Sequence, residues 1–212
     1  MSDRSFDIEL FRKLEPSFKE AGFTWLPDKN QFRKTTVNGF QNVIISVSTY
    51  DNERVIEVQM GVRNNLVEEM SQQFLTNYEA YRPDANTLII SIGGFKNDKY
   101  FRYKVKNLEE LSACVASIEI FFKEHGFTFL ERVSNIKVLD EIMNENPHKH
   151  NKYIYNQAHR CFKGIVLAKV NDRHHLFGLI EVYRTYLLKT ASDEALNNYE
   201  RMVSYLLHFS SN

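Results

Sequence analysis

Between residues 5 and 21, Phe6, Leu10, Leu14 and Phe18 recur every four positions, and Phe11 joins their side. That spacing predicts an amphipathic helix. Pro16 falls inside it and is expected to kink or restart it. From Gln31 the period shortens to two. Strands are expected over 31–37 and 40–50, joined at Asn38-Gly39, a strong hairpin signal. Val43, Ile45 and Val47 share one face of the second strand. After a turn at Asp51-Asn52-Glu53, residues 54–63 alternate: Ile56, Val58, Met60 and Val62 point one way, Glu57 and Gln59 the other. Together these predict an antiparallel meander with one wet face.

Helical spacing returns over 66–81, through Leu66, Met70, Phe74 and Tyr78, and stops at Pro83. A second hairpin is expected from 87–95 and 99–105 around Asn97-Asp98. Asn107, with Glu110 three residues on, has the spacing of a capping box. It opens a helix carrying Leu111, Val115, Ile118 and Phe122. Beyond Leu130 only helices are expected: a short one from Ser134 to about 145, then 153–170, 174–189 and 193–209. The polar stretch 144–151 is the expected joint, and Ser192, followed by Asp193 and Glu194, is a suitable N-cap.

One segment occurs twice. Phe18-Lys19-Glu20-Ala21-Gly22-Phe23-Thr24-Trp25-Leu26 returns as Phe122-Lys123-Glu124-His125-Gly126-Phe127-Thr128-Phe129-Leu130. Gly22 and Gly126 are both expected to end a helix in the left-handed conformation, which glycine adopts without a Cβ clash.

The chain has 212 residues, is 43% hydrophobic and carries 27 basic and 27 acidic side chains. Residues 1–132 hold 17 Lys and Arg against 19 Asp and Glu, and 133–212 hold 10 against 8, so the halves stand at −2 and +2. No global field draws the chain to nucleic acid or anionic membrane. No apolar run of about 18 residues marks a membrane span. The N-terminus lacks a signal-peptide pattern, and the cytoplasm is the expected location. Cys114 and Cys161 are expected as two buried thiols.

Candidate chemistry is sparse. His148-x-His150, His159 and His174-His175 lack the convergent third and fourth ligands that zinc needs, so no metal and no cofactor are expected. Cys114 lies on an apolar helix face, where a thiol is inert packing. Gly93-Gly94 follows a strand without a phosphate-loop Lys and reads as a bulge or sheet bend. Glu68-Glu69, Glu109-Glu110 and Asp140-Glu141 read as solvated helix faces. The remaining patch is basic and aromatic. Tyr100, Arg102 and Lys104 fall on one side of the expected strand and Phe101, Tyr103 and Val105 on the other, and Arg33 on an earlier strand is positioned to join the outer set. Such a face suits an anion, single-stranded nucleic acid or an acidic partner, although exposed Arg, Lys and Tyr are ordinary on a wet sheet face.

Three stretches resemble the bacterial domain of unknown function 4304 family. They are Leu14-Glu-Pro-Ser-Phe-Lys-Glu-Ala-Gly-Phe23 with the strand Gln31-Phe-Arg-Lys34, the meander ending Ile56-Glu-Val-Gln-Met-Gly-Val62, and Phe122-Lys-Glu-His-Gly-Phe-Thr-Phe-Leu-Glu-Arg-Val133. The resemblance implies an α+β fold and bacterial origin, and it carries no catalytic residue.

The expected architecture is α+β. An antiparallel sheet of about five strands packs against helices over 1–132, and an all-helical subdomain follows over 133–212. The expected function is binding, with a protein as partner and an immunity-type inhibitor as one version; nucleic acid and membrane are disfavoured and oligomeric state is open. An enzyme acting on a phosphorylated or nucleotide ligand is the alternative.

Overall fold

The computed structural model describes residues 3–51 and 53–208. Asn52 of the expected turn and the last expected helical position, 209, lie outside the described residues. Helix α1 (Asp3–Glu20) runs through Pro16 without interruption. Its Phe6, Leu10, Phe11, Leu14 and Phe18 are all buried. Gly22 ends it at φ +87, with Gly22 N donating to Lys19 O and Phe23 N to Phe18 O, both at 2.9 Å. This is the expected left-handed helix end.

Strands β1 (Thr24–Leu26), β2 (Gln31–Thr36), β3 (Gly39–Tyr50) and β4 (Glu53–Asn64) follow. The β2–β3 register pairs Thr36 with Gly39, so Val37 and Asn38 form the loop, one residue earlier than the Asn-Gly signal implied. Helix α2 (Asn65–Ser71) is much shorter than the expected 66–81; turns and irregular chain follow over 72–78, and a 3-10 turn begins only at Glu79 and runs to Asp84. Pro83 sits inside that turn.

The second hairpin does not form. Strand β5 (Leu88–Ser91) ends where the Ser91 hydroxyl accepts a bond from Gly94 N at 3.0 Å, capping the short helix α3 (Ile92–Phe95). Gly93-Gly94 is therefore helical and not a bulge. Strand β6 (Tyr103–Val105) pairs antiparallel with β4, not with β5. The six-stranded sheet runs β1-β2-β3-β4-β5, with β6 also against β4.

Helix α4 (Leu108–Phe121) is capped by Asn107, whose Oδ1 accepts from Glu110 N at 2.9 Å. The second copy of the repeated segment departs from the first. Phe122–Gly126 is a π-helical turn that leads directly into helix α5 (Phe127–Val133). Gly126 lacks the positive φ of Gly22. Its small size serves a different purpose: a Cβ there would stand 2.4 Å from Phe122 Cδ1.

The chain divides into two units, 1–62 with 90–132 and 63–89 with 133–212. The sequence expectation drew one boundary at 132/133; the second unit also takes in 63–89. In the first unit, Phe18 joins both copies of the repeat to the sheet. Its ring stacks on Phe32 at 4.4 Å and meets Phe122 at 5.0 Å and Phe127 at 5.4 Å. Such ring pairs add about 0.5–1.5 kcal/mol each beyond the area they bury.

The second unit holds α2 and helices α6 (Ile136–Asn144), α7 (Gln157–Val170), α8 (Leu176–Thr190) and α9 (Asp193–His208). Asn135, one residue after the expected Ser134, caps α6. Helix α7 packs against α2, α6, α8 and α9. Every residue from Arg160 to Ala168 is buried. A helix surrounded on all sides is normally apolar throughout. This one carries Arg160 and Lys163, and their neighbours explain how. No helix among the described residues is long and apolar enough to cross a membrane.

Candidate functional site

The basic patch expected on the sheet is only partly assembled. Arg102 Nη2 pairs with Glu57 at 2.6 Å, and Lys104 Nζ pairs with Glu53 at 3.1 Å, with Lys106 at 3.7 Å from the same carboxylate. The hydrogen bond from Lys104 holds the Glu53 carboxyl below its usual range. The cations of β6 and its flanks are thus matched by carboxylates of β4. Tyr100 is 85% exposed, and both it and Arg102 precede β6, so of the three residues expected to share a strand only Lys104 lies on it. Arg33 stands on β2, with β3 and β4 between it and β6, and its guanidinium lies 3.9 Å over the Phe40 ring. The four residues do not form one cluster.

Cys114 and Cys161 are free and buried. Burial pushes each thiol up to about 12, so both are protonated near neutrality and neither is an activated nucleophile. Among the described residues no group of three or more His, Cys, Asp or Glu converges.

The charged centre of the second unit is α7. Lys163 Nζ pairs with Glu68 of α2 at 2.9 Å and donates to Asn86 O at 2.6 Å. Gln72 Nε2 donates to the other Glu68 oxygen at 2.9 Å. Burial, with Lys163 as the second cause, lowers the pKa of the neighbouring His159 imidazole, and Glu68 opposes the shift.

One turn earlier, Arg160 is 3% exposed. Its Nε and Nη2 donate to Met143 O at 2.9 and 2.6 Å, Nη2 also to Asn146 O at 3.0 Å, and Nη1 to Lys149 O at 2.5 Å. These carbonyls belong to the end of α6 and the loop after it. A guanidinium there satisfies groups that a helix end leaves unpaired and sits favourably against the dipole. Tyr183 completes the arrangement. Its hydroxyl donates to Asn144 Oδ1 at 2.7 Å, while Asn144 Nδ2 donates to Asp140 at 2.6 Å and to Gly164 O at 2.8 Å. Gly164 is small of necessity, because a Cβ would meet Asn144 Oδ1 at 2.6 Å. Arg173 pairs with Asp140 at 2.7 Å.

Arg160 itself has no carboxylate partner among the described residues; its bonds go to backbone carbonyls. It lies at the wall of a cavity of about 250 Å³ formed by the loop that follows α6. Lys149, His150 and Lys152 line that cavity too, with Glu145 as its one carboxylate. Three fixed cations against one anion give it a positive field. A smaller recess of about 80 Å³ shares Lys149, His150 and Arg160 with it and is also lined by His148 and Cys161. His150 thus lines both recesses and His148 the smaller one.

The sequence marked 144–151 as a polar joint and passed over Arg160. The available signal was two cations, Arg160 and Lys163, flanking and leading into the apolar run of α7. In an exposed helix that pattern is ordinary, and only burial gives it meaning.

No family model matches the chain, and no solved structure matches it. The tyrosine-protein kinase receptor ver-3 of Caenorhabditis elegans is 33% identical to it over 109 residues. The match covers 47% of this chain and 9% of that receptor. The chain contains no His-Arg-Asp, no Asp-Phe-Gly and no Gly-x-Gly-x-x-Gly, the signatures through which kinases hold ATP and magnesium.

Proposed function

We propose that this chain is a binding module for a small phosphorylated ligand, held by the loop 145–153 against α7. The observation that supports it is Arg160: a buried guanidinium without a carboxylate partner, at the wall of a cavity also lined by Lys149, His150 and Lys152. A buried cation gains most from an anion that brings acceptors to it in a site of low dielectric. A phosphate carries several acceptor oxygens, and the Lys149 and Lys152 ammonium groups provide point charges for it. The two protonated thiols lend no support to cysteine chemistry at this site. Action in the cytoplasm, and membership of the bacterial domain of unknown function 4304 family, belong to the same proposal; the second rests on the three stretches quoted above.

A protein partner on the sheet is a second reading. It is favoured by the alternating charges Arg102–Glu57 and Lys104–Glu53, which a partner with the complementary alternation can match.

Calorimetric titration with inorganic phosphate tests the first reading. Saturable binding is expected, weakening with added salt. Lys149→Ala and Lys152→Ala are each expected to weaken it by about fivefold, the equivalent of about 1 kcal/mol per exposed contact. Absence of saturable heat, or affinity untouched by both substitutions, overturns it.

A further inference from the structure

The cationic cavity has a neighbour of opposite character. Ile89 N donates to Tyr153 O at 3.1 Å. Tyr153 lines the cationic cavity, and Ile89 lines a second cavity of about 530 Å³. That hydrogen bond ties a wall residue of one recess to a wall residue of the other, within one unit of the fold. No Lys or Arg lines the larger one. Its lining residues include Tyr78 and Tyr81, whose rings are 6.3 Å apart and nearly perpendicular, with Asn77, Asn86 and one carboxylate residue, Asp84.

The tyrosines are 81% and 70% exposed, an unfavourable state for two adjacent aromatic rings. Their backbone is nevertheless fixed. Arg63 Nη1 donates to Arg82 O at 2.8 Å and to Ala85 O at 3.0 Å, clamping the 3-10 turn Glu79–Asp84. Arg82 Nε donates to Asn77 O at 3.3 Å, and Asn77 Nδ2 to Gln72 Oε1 at 2.9 Å. Exposed rings on a clamped turn form a ready stacking platform. Aromatic faces beside amides are the means by which a protein holds a nucleobase: stacking supplies affinity, and an amide can offer a donor and an acceptor to a base edge.

We infer that the phosphorylated ligand is a mononucleotide, with its base against Tyr78 and Tyr81 and its phosphate against Lys149 and Arg160. This rests on the reading of the cationic cavity as a phosphate site. The division of labour follows from the linings: cationic for the phosphate, and aromatic and amide residues with a single carboxylate, Asp84, and no cation for the ring.

The test compares inorganic phosphate, ribose 5-phosphate and the four monophosphates AMP, GMP, CMP and UMP by calorimetry. At least one nucleotide is expected to bind about tenfold more tightly than ribose 5-phosphate, as one stacked base provides. Tyr81→Ala and Tyr78→Ala are expected to remove that gain and leave phosphate affinity unchanged. Both rings are exposed, so the variants should fold, and an unchanged melt confirms it. Nucleotides, ribose 5-phosphate and phosphate binding alike overturn the inference and leave the phosphate site standing. A nucleotide gain that survives both tyrosine substitutions also overturns it. Absence of binding by every probe overturns the phosphate site as well.

Discussion

Gly126 lies directly beneath the ring of Phe122: a Cβ at 126 would stand 2.4 Å from Cδ1 and 2.8 Å from Cε1. The contact arises because the chain between them makes a π-helical turn rather than a helix end. Phe122 is fully buried and touches Phe18 and Phe127, so it has nowhere to move. Gly126→Ala is expected to destabilise the protein by about 1–3 kcal/mol, as overpacking does. The double variant Gly126→Ala with Phe122→Leu should lose less than the two single changes together. Gly22→Ala should cost about 1 kcal/mol through its positive φ, and Phe122→Leu should not relieve that. Additive melts in the Gly126 cycle would refute the steric account.

Lys163 and Glu68 form a buried pair with only 6% and 0% of their side chains exposed. Lys163→Met strands a carboxylate among Gln72, Ser71 and the core of the second unit. A loss of about 3–5 kcal/mol is expected. Adding Glu68→Gln removes the stranded charge and should recover much of it. Chemical denaturation of the two single variants and the double variant checks this, and a double variant no better than Lys163→Met speaks against an ion pair.

His159 makes part of the stability pH-dependent. Its folded pKa lies below the ordinary 6.5, chiefly through burial and next through Lys163. The unfolded chain therefore binds the proton more readily. The stabilisation is complete above about pH 6.5 and is lost as pH falls towards the folded value. His159→Gln should flatten the dependence of melting temperature on pH in that range. Equal slopes for the two proteins would remove His159 from the account.

On the sheet, Arg102 is about a third exposed and paired with Glu57. Arg102→Ala is expected to cost no more than about 1 kcal/mol. Thermal melts that show outright unfolding would mean that Arg102 holds more than this surface pair.

The elements whose side chains report one environment were legible in sequence. Strand β4 alternates because one of its faces is core, and Ile56, Val58, Met60 and Val62 are all buried as their spacing predicts. The second hairpin failed for a local reason: the Ser91 hydroxyl offers Gly94 N a bond that competes with continuing the strand. The repeated segment misled because identical glycines serve two needs, a left-handed φ at Gly22 and a close ring at Gly126. The site was least legible. Arg160 stands 17, 14 and 11 positions from Met143, Asn146 and Lys149, whose carbonyls it binds. Neither end carries a motif, and the polarity of the loop is also that of any solvated joint. Charge patterning instead drew attention to Arg102 and Lys104, which β4 neutralises with carboxylates whose strand register a sequence does not display.

Amide chemical-shift mapping of the isotope-labelled protein during titration with inorganic phosphate tests the central claim most directly. The account predicts saturable shifts concentrated on the loop 145–153 and on α7 around Arg160, with few changes near Arg102 and Lys104 on the sheet. Shifts that do not saturate, or that gather on β4 and β6 while the loop stays silent, would contradict it.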